Sequence, residues 1–244
     1  MKIHTLLLSG LLSINMVSCS TISTKVDKNS KPSFPAMTKK TVSLKKGITI
    51  RDNFSPPIGT LKGDTWDMGN GTLQLVGGHC NNEEQGEKVV IYKDNLLIKN
   101  GKFSHWEDGV NLRAKNVKFQ NVVFENCEDA FNTGEGCESF TISKCFFGPH
   151  PKKESSEAYQ ADKLIQAVIT KGNNTIENNV FWNGMCGIRI GLKKYSGSKY
   201  EGTTIIKDNQ FNTLSTAIHQ VRGQVKTSNN KFTKVEEEFK KEGE

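Results

Sequence analysis

The sequence has few of the features that mark several large protein classes. Apart from its N-terminal segment, it has no apolar stretch long enough to span a membrane. No C-x-x-C pair occurs, which argues against a structural zinc site. Helical periodicity of useful length is missing before residue 235, and strand-like segments do not alternate with helical ones. The parallel architectures that need crossover helices are therefore disfavoured.

The net charge of +7 is mostly the property of one segment. Residues 20–46 hold seven Lys and one Asp, whereas residues 47–244 hold 25 basic and 25 acidic residues. We therefore predict no nucleic-acid partner. Within the neutral part, residues 47–143 carry 9 basic and 14 acidic groups, and residues 144–234 carry 14 basic and 6 acidic groups. This polarity favours an acidic half that binds a cation and a basic half that faces an acidic substrate.

The N-terminus has the features of a bacterial secretion signal. A Leu-rich apolar segment follows Lys2 and ends at Met16-Val17-Ser18-Cys19, which resembles a lipoprotein cleavage box. We predict a signal peptide over residues 1–18, lipidation of Cys19, and a flexible linker over residues 19–42. The protein would then lie outside the cytoplasm and touch the membrane only through this anchor. Ordinary secretion with a free Cys19 is the alternative.

An octet that ends in Phe recurs six times along the rest of the chain, and in five copies Asn or Asp stands three residues before the Phe. Strand-like repeats of this length are typical of a solenoid. We predict an all-β, monomeric parallel β-helix of about eight coils over residues 43–236, followed by a charged tail over residues 237–244. Residues 235–244 form a short helix or a frayed end. The residues predicted to stack in the core are Phe103, Phe124, Phe147, Phe181, Phe211 and Phe232.

Two acidic pairs are spaced by one such repeat. Glu107-Asp108 is followed 21 residues later by Glu128-Asp129. In a solenoid these pairs lie on adjacent strands, about 4.8 Å apart. Like charges at that spacing are costly without a positive partner, and a hard cation such as calcium prefers oxygen ligands. The repeat therefore predicts a calcium site, with a solvated charged edge as the alternative.

Aligning the repeats on an apolar residue seven positions after the Phe predicts two polar columns. One column, two residues before the apolar position, consists of Asp108, Asp129, Lys163, Cys186 and Thr216. The other column, one residue after it, consists of Asn111, Asn132, Gln166, Arg189 and His219. The two carboxylates are thus followed by the cations Lys163 and Arg189.

These residues carry a resemblance to a known family. Cys127-Glu128-Asp129-Ala130 resembles the Glu-Asp-Ala signature of class III pectate lyases. Asp108-Gly109-Val110 is similar to that family's Asp-Gly-Ile step, and residues 162–166 are similar to its Asp-Lys-Val-Phe-Gln segment. The resemblance covers residues 88–190. It implies a right-handed, single-stranded parallel β-helix and calcium-dependent cleavage of polygalacturonate by β-elimination.

The resemblance also implies roles for single residues. The implied calcium ligands are Asp108, Glu128 and Asp129. Lys163 would be a catalytic or substrate-binding base. The family's Gly-Lys-x-x-Arg element is similar to residues 184–189, but Met185 stands near the place of its Lys and Arg189 lies one residue further on. We expect Arg189 to be the base and Lys163 to hold the substrate carboxylate.

A basic and aromatic insertion adds a candidate for substrate binding. The residues predicted to contact the sugar are Lys193, Lys194 and Tyr195, and a solvated loop is the alternative. Two other functions are consistent with the sequence. One is a non-catalytic surface protein that binds an acidic glycan through calcium. The other is a glycoside hydrolase that uses the two close carboxylates as its catalytic pair.

Overall fold

The computed structural model describes residues 40–75, 88–106, 108–127, 129–148, 163–168, 171–192 and 201–242. Within these ranges the chain is all-β and contains no helix. Its eighteen strands belong to one sheet, and all pairings between them are parallel except one. The predicted all-β class and the parallel pairing of its strands are therefore confirmed. No described helix is long and apolar enough to cross a membrane.

The first part of the sheet is the least regular. The exception to parallel pairing is here, because β3 runs antiparallel to β4 and forms a tight hairpin with it. Gly63 occupies the turn of this hairpin with φ 55°, a conformation that Gly adopts readily. The strands of this part are β1 (Thr41–Leu44), β2 (Ile48–Ile50), β3 (Thr60–Lys62), β4 (Thr65–Leu75) and β5 (Lys88–Ile91).

The remaining strands repeat in a regular order, and most of them pair with the strand two places further along the chain. Those that begin before residue 150 are β6 (Leu97–Ser104), β7 (Asp108–Leu112), β8 (Lys115–Glu125), β9 (Asp129–Thr133), β10 (Glu138–Ser143) and β11 (Phe146–Phe147). Those that follow are β12 (Lys163–Ala167), β13 (Asn174–Glu177), β14 (Val180–Ile190), β15 (Thr203–Lys207), β16 (Gln210–Gln220), β17 (Gln224–Ser228) and β18 (Lys231–Lys241). Residues 235–241, for which the sequence left a short helix or a frayed end open, lie in β18.

The recurring Phe residues form one continuous stack in the core. All six are register partners on successive strands, so each ring lies one strand spacing from the next. The five ring centroid distances are 5.5, 4.8, 5.0, 4.8 and 5.4 Å. Five of the six side chains are buried, and only Phe232, on the last strand, is partly exposed. The predicted stack is therefore confirmed.

The polar residues three positions before each Phe share a left-handed backbone conformation. All six have positive φ, between 53° and 57°, and they are Asn100, Asn121, Lys144, Asn178, Asp208 and Asn229. Asn and Asp tolerate this left-handed conformation better than most residues, which explains why they recur at this position. Asn121 Nδ2 also donates to Asn100 Oδ1 at 2.9 Å. These residues therefore mark a recurring bend of the backbone, which at Asn100 and Asn121 falls inside β6 and β8.

A second Asn ladder is buried. Asn209 Oδ1 accepts from Asn179 Nδ2 at 3.0 Å, and Asn209 Nδ2 donates to Ile176 O at 2.9 Å and to Asn230 Oδ1 at 3.1 Å. Asn179 and Asn209 have almost no exposed surface. Because each amide is hydrogen-bonded on both sides, burial of these polar groups is compensated and they hold successive turns together.

The described cysteines are structural. Cys127, Cys137, Cys145 and Cys186 are buried and none is in a disulfide. Burial raises the pKa of the Cys145 thiol to about 12, which makes it unreactive at neutral pH. Buried cysteines of this kind serve as small apolar residues of the core.

Candidate functional site

The first predicted polar column is present in the structure. Asp108 on β7 and Asp129 on β9 are register partners. The backbone N–H of Lys163, at the start of β12, donates to Asp129 Oδ1 at 3.1 Å. Lys163 is in turn the partner of Cys186 on β14, and Cys186 is the partner of Thr216 on β16. Lys163 therefore lies on the strand next to Asp129, at the same level of the sheet.

The second predicted column is also present. Asn111 is the register partner of Asn132, Asn132 of Gln166, Gln166 of Arg189, and Arg189 of His219. Gln166 Nε2 donates to Asn132 Oδ1 at 3.1 Å. The amide groups thus form a chain of polar contacts that leads from the acidic strands towards Arg189.

One hydrogen bond joins the two columns. Asn132 Nδ2 donates to Asp108 Oδ1 at 3.2 Å, across adjacent strands. The residues between the columns, Val110 and Phe131, have no exposed surface and face the core. The Asn132–Asp108 hydrogen bond therefore brings the two columns together at these strands.

The aspartates have a partner that the sequence analysis did not find. Lys88 on β5 is the register partner of Asp108, and its Nζ lies 3.1 Å from Asp108 Oδ2. The strand pairing shifts between Lys88 and Val89, which is the partner of Val110. Counting back two residues from Val89 would therefore give Glu87, and not Lys88, as the partner of Asp108. Across four neighbouring strands the first column therefore reads ammonium, carboxylate, carboxylate, ammonium.

This arrangement addresses the repulsion between the aspartates. Asp108 has the ammonium of Lys88 at 3.1 Å, and Asp129 accepts from the backbone N–H of Lys163 on the strand on its other side. The side chains of Lys88 and Asp108 are 30% and 29% exposed, so the pair is accessible to solvent and to a ligand. An ion pair this exposed contributes little to folding. The Asp108 carboxylate can therefore exchange Lys88 for another positively charged partner.

The oxygen donors at this position are of the type that binds calcium. Asp108 and Asp129 offer hard carboxylate oxygens on adjacent strands, as calcium requires. The predicted third ligand, Glu128, and its counterpart Glu107 lie outside the described residues. Among the residues the structure describes, no group of three or more His, Cys, Asp or Glu side chains lies together as a metal site. Of the three predicted ligands, the structure therefore describes Asp108 and Asp129.

Arg189 lies on the outer side of the sheet, beside the cationic end of the columns. Its neighbours in sequence, Ile188 and Ile190, are fully buried, so Arg189 points the other way. It occupies the column of Asn132 and Gln166, while Cys186 takes the position level with Lys163. Its Nε atom is buried without a hydrogen-bond partner among the described residues. An unpaired buried donor at this point is suited to receive an anionic group.

His219 lies next to Arg189 and is held by a carboxylate. His219 Nε2 donates to Glu242 Oε1 at 2.9 Å, and the backbone N–H of Glu242 donates to Gln220 O at 2.9 Å. Burial and the positive charge of Arg189 lower the pKa of His219, and Glu242 opposes this change only in part. The imidazole is therefore neutral at neutral pH.

Several predicted residues lie outside the part of the chain that the structure describes. They are Cys19, the N-terminal signal and residues 19–39 of the predicted linker, the predicted calcium ligand Glu128, and the predicted substrate-binding residues Lys193, Lys194 and Tyr195.

Comparison with known proteins adds no relative. No protein-family model matches the chain, and no curated protein matches it at a significant level.

Proposed function

We propose that the protein binds an acidic polysaccharide of the polyuronate class, such as pectate, and cleaves it by calcium-dependent β-elimination. The observation that carries the proposal is the register of Asp108, Asp129 and Lys163 on successive strands, with Arg189 one strand beyond. Acidic and cationic groups then follow one another along one outer face. A polyuronate chain presents carboxylates at regular intervals, which suits such a face.

The fold we propose for this function is a right-handed, single-stranded parallel β-helix of about eight coils. Support comes from the parallel pairing of successive strands and from the two turn positions with positive φ that recur in the repeats. One lies three residues before the Phe, as at Asn121, and the other two residues after it, as at Asn126. Regular turns of this kind return the chain to the next strand at a constant level.

Calcium would be held by Asp108, Asp129 and Glu128. When bound, it supplies positive charge that stabilises the enolate-like form of a uronate next to its carboxylate. Lys163 binds the substrate carboxylate. As the proposed base, Arg189 takes the proton from C5, and the electrons of that C–H bond form the C4–C5 double bond. The C4–O bond breaks, and the leaving oxygen takes a proton from solvent.

The N-terminal segment gives the proposed place of action. A signal over residues 1–18 and a lipid on Cys19 would hold the protein at the cell surface, and the linker would let the sheet reach an external polymer. The linker carries a net positive charge, which also favours an acidic polymer as its neighbour.

A second function is favoured by the Lys88–Asp108 pair. Because the carboxylates already have cationic neighbours, the charges of this face are balanced even if none of its residues is catalytic. A non-catalytic protein that binds an acidic glycan through calcium needs no base, and Arg189 would then be only a carboxylate receptor.

One assay separates these functions. The protein is incubated with polygalacturonate, with calcium or with a chelator, and the ultraviolet absorbance of the unsaturated product is followed. A calcium-dependent rise supports the lyase. Binding without cleavage supports the glycan-binding protein, and new reducing ends without absorbance support a hydrolase.

A further inference from the structure

We infer that Lys88 is a built-in counter-ion that competes with calcium for Asp108 and thereby sets the affinity of the site for the metal. The inference rests on the proposed calcium site and extends it. It assigns to Lys88 a role that the acidic ligands do not have, because Lys88 is a group that the metal has to displace.

The contacts of Asp108 are the basis of this inference. Lys88 Nζ lies 3.1 Å from Asp108 Oδ2, and Asn132 Nδ2 lies 3.2 Å from Asp108 Oδ1. Both carboxylate oxygens therefore have a donor. The amide of Asn132 is neutral and still leaves Oδ1 a lone pair, whereas the ammonium of Lys88 carries a full positive charge. A cation that approaches Asp108 meets Lys88 as its main electrostatic opponent.

The position of Lys88 makes an exchange feasible. It lies on β5, on the side of Asp108 away from Asp129, so its departure leaves the two aspartates adjacent. Its side chain is 30% exposed, and a long flexible lysine can turn into solvent at small cost. The aspartates thus keep a counter-charge in either state, the ammonium when calcium is scarce and the metal when it is abundant.

The test is a calcium titration by calorimetry of the full chain and of two neutralised variants. Lys88→Met removes the competing charge. Lys102→Met is the matched control, because Lys102 Nζ pairs with Glu125 Oε2 at 2.8 Å across adjacent strands with similar exposure. We expect Lys88→Met to bind calcium about tenfold more tightly than the wild type. Lys102→Met should bind with unchanged affinity.

A second readout uses folding. Without Lys88 the two aspartates repel each other in the calcium-free protein, so calcium should raise the melting temperature of Lys88→Met more than that of the wild type. Lys88→Arg keeps the charge and should bind calcium no more tightly than the wild type. If Lys88→Met does not fold, Lys88→Gln takes its place in both measurements.

The outcomes separate this inference from the proposed function. Tighter binding by Lys88→Met alone supports the inference. Equal or weaker binding by Lys88→Met, in a wild type that binds calcium and loses it on Asp129→Ala, overturns the inference and leaves the metal site intact. Absence of calcium binding in both the wild type and Lys88→Met overturns the metal site and the inference together.

Discussion

Asp108 and Asp129 are register partners on adjacent parallel strands, so their carboxylates stand one strand spacing apart on the same outer face. In most proteins such a pair would be costly. Here Lys88 lies on one side of the pair and Lys163 on the other. The four charges together make a face that is neutral as a whole but strongly patterned, which is the property that a ligand with regular carboxylates would recognise.

The first prediction concerns the metal. Asp129→Asn keeps an acceptor for the Lys163 backbone N–H but removes the charge, so calcium affinity should fall at least about tenfold. Asp67→Asn is the matched control, because Asp67 is also paired with a lysine, Lys99, at 3.2 Å but lies outside the columns. Calorimetric titration measures both. Equal calcium affinity in Asp129→Asn and the wild type would refute the metal assignment.

The second prediction concerns the base. Arg189→Gln should lower the rate of β-elimination at least about a hundredfold, the usual contribution of a general base, while calcium binding stays unchanged. Arg222→Gln, in the turn after β16, serves as control and should keep its activity. An Arg189→Gln variant as active as the control would exclude Arg189 as the base.

The periodic features of this protein could be read from its sequence. The spacing of Phe and of the polar positions around it predicted the stack and both columns, because equivalent residues of successive repeats are register partners on paired strands. Lys88 could not be found in this way, since the pairing shifts by one residue between Lys88 and Val89. The contact of Glu242 with His219 also joins residues that no local pattern connects.

The buried Asn ladder shows another limit. Asn179, Asn209 and Asn230 each stand two residues before a Phe, so the repeat contains the signal. A polar residue at that position is expected on the surface, and only the hydrogen bonds between neighbouring strands explain its burial. Which polar residues turn inward depends on such partners and not on hydrophobic periodicity.

The third prediction concerns the Phe stack. Phe181 lies between Phe147 at 5.0 Å and Phe211 at 4.8 Å and is fully buried. Phe181→Ala should therefore lower the free energy of unfolding by about 3–5 kcal/mol. Phe232→Ala, at the partly exposed end of the stack, should cost about half as much. Denaturant unfolding of both variants checks this. Equal losses would show that stacking along the sheet does not determine stability.

The fourth prediction concerns pH. The pKa of His219 is lowered in the folded protein, so the unfolded chain takes up this proton first as the pH falls. The corresponding stability is complete above the unfolded pKa of about 6.5 and is lost as the pH falls from there towards the folded value. The charged groups that surround His219 are Arg189, Lys240 and Glu242.

The control for this prediction is His219→Gln, which cannot take up the proton. The difference in unfolding free energy between the wild type and His219→Gln should be constant above about pH 7.5. Between about pH 6.5 and 5 the wild type should lose stability relative to the variant. If the wild type instead becomes more stable relative to His219→Gln as the pH falls, then Glu242, and not Arg189 and burial, determines the direction of the pKa shift of His219.

The most direct test of the central claim is the mass of the products released from polygalacturonate in the presence of calcium. β-Elimination yields fragments whose new non-reducing end is one water lighter than the product of hydrolysis. We predict such unsaturated fragments from the wild type, their loss on addition of a chelator, and their near absence with Arg189→Gln. Saturated fragments from the wild type, or an uncut polymer at saturating calcium, would contradict the assignment of this protein as a polyuronate lyase.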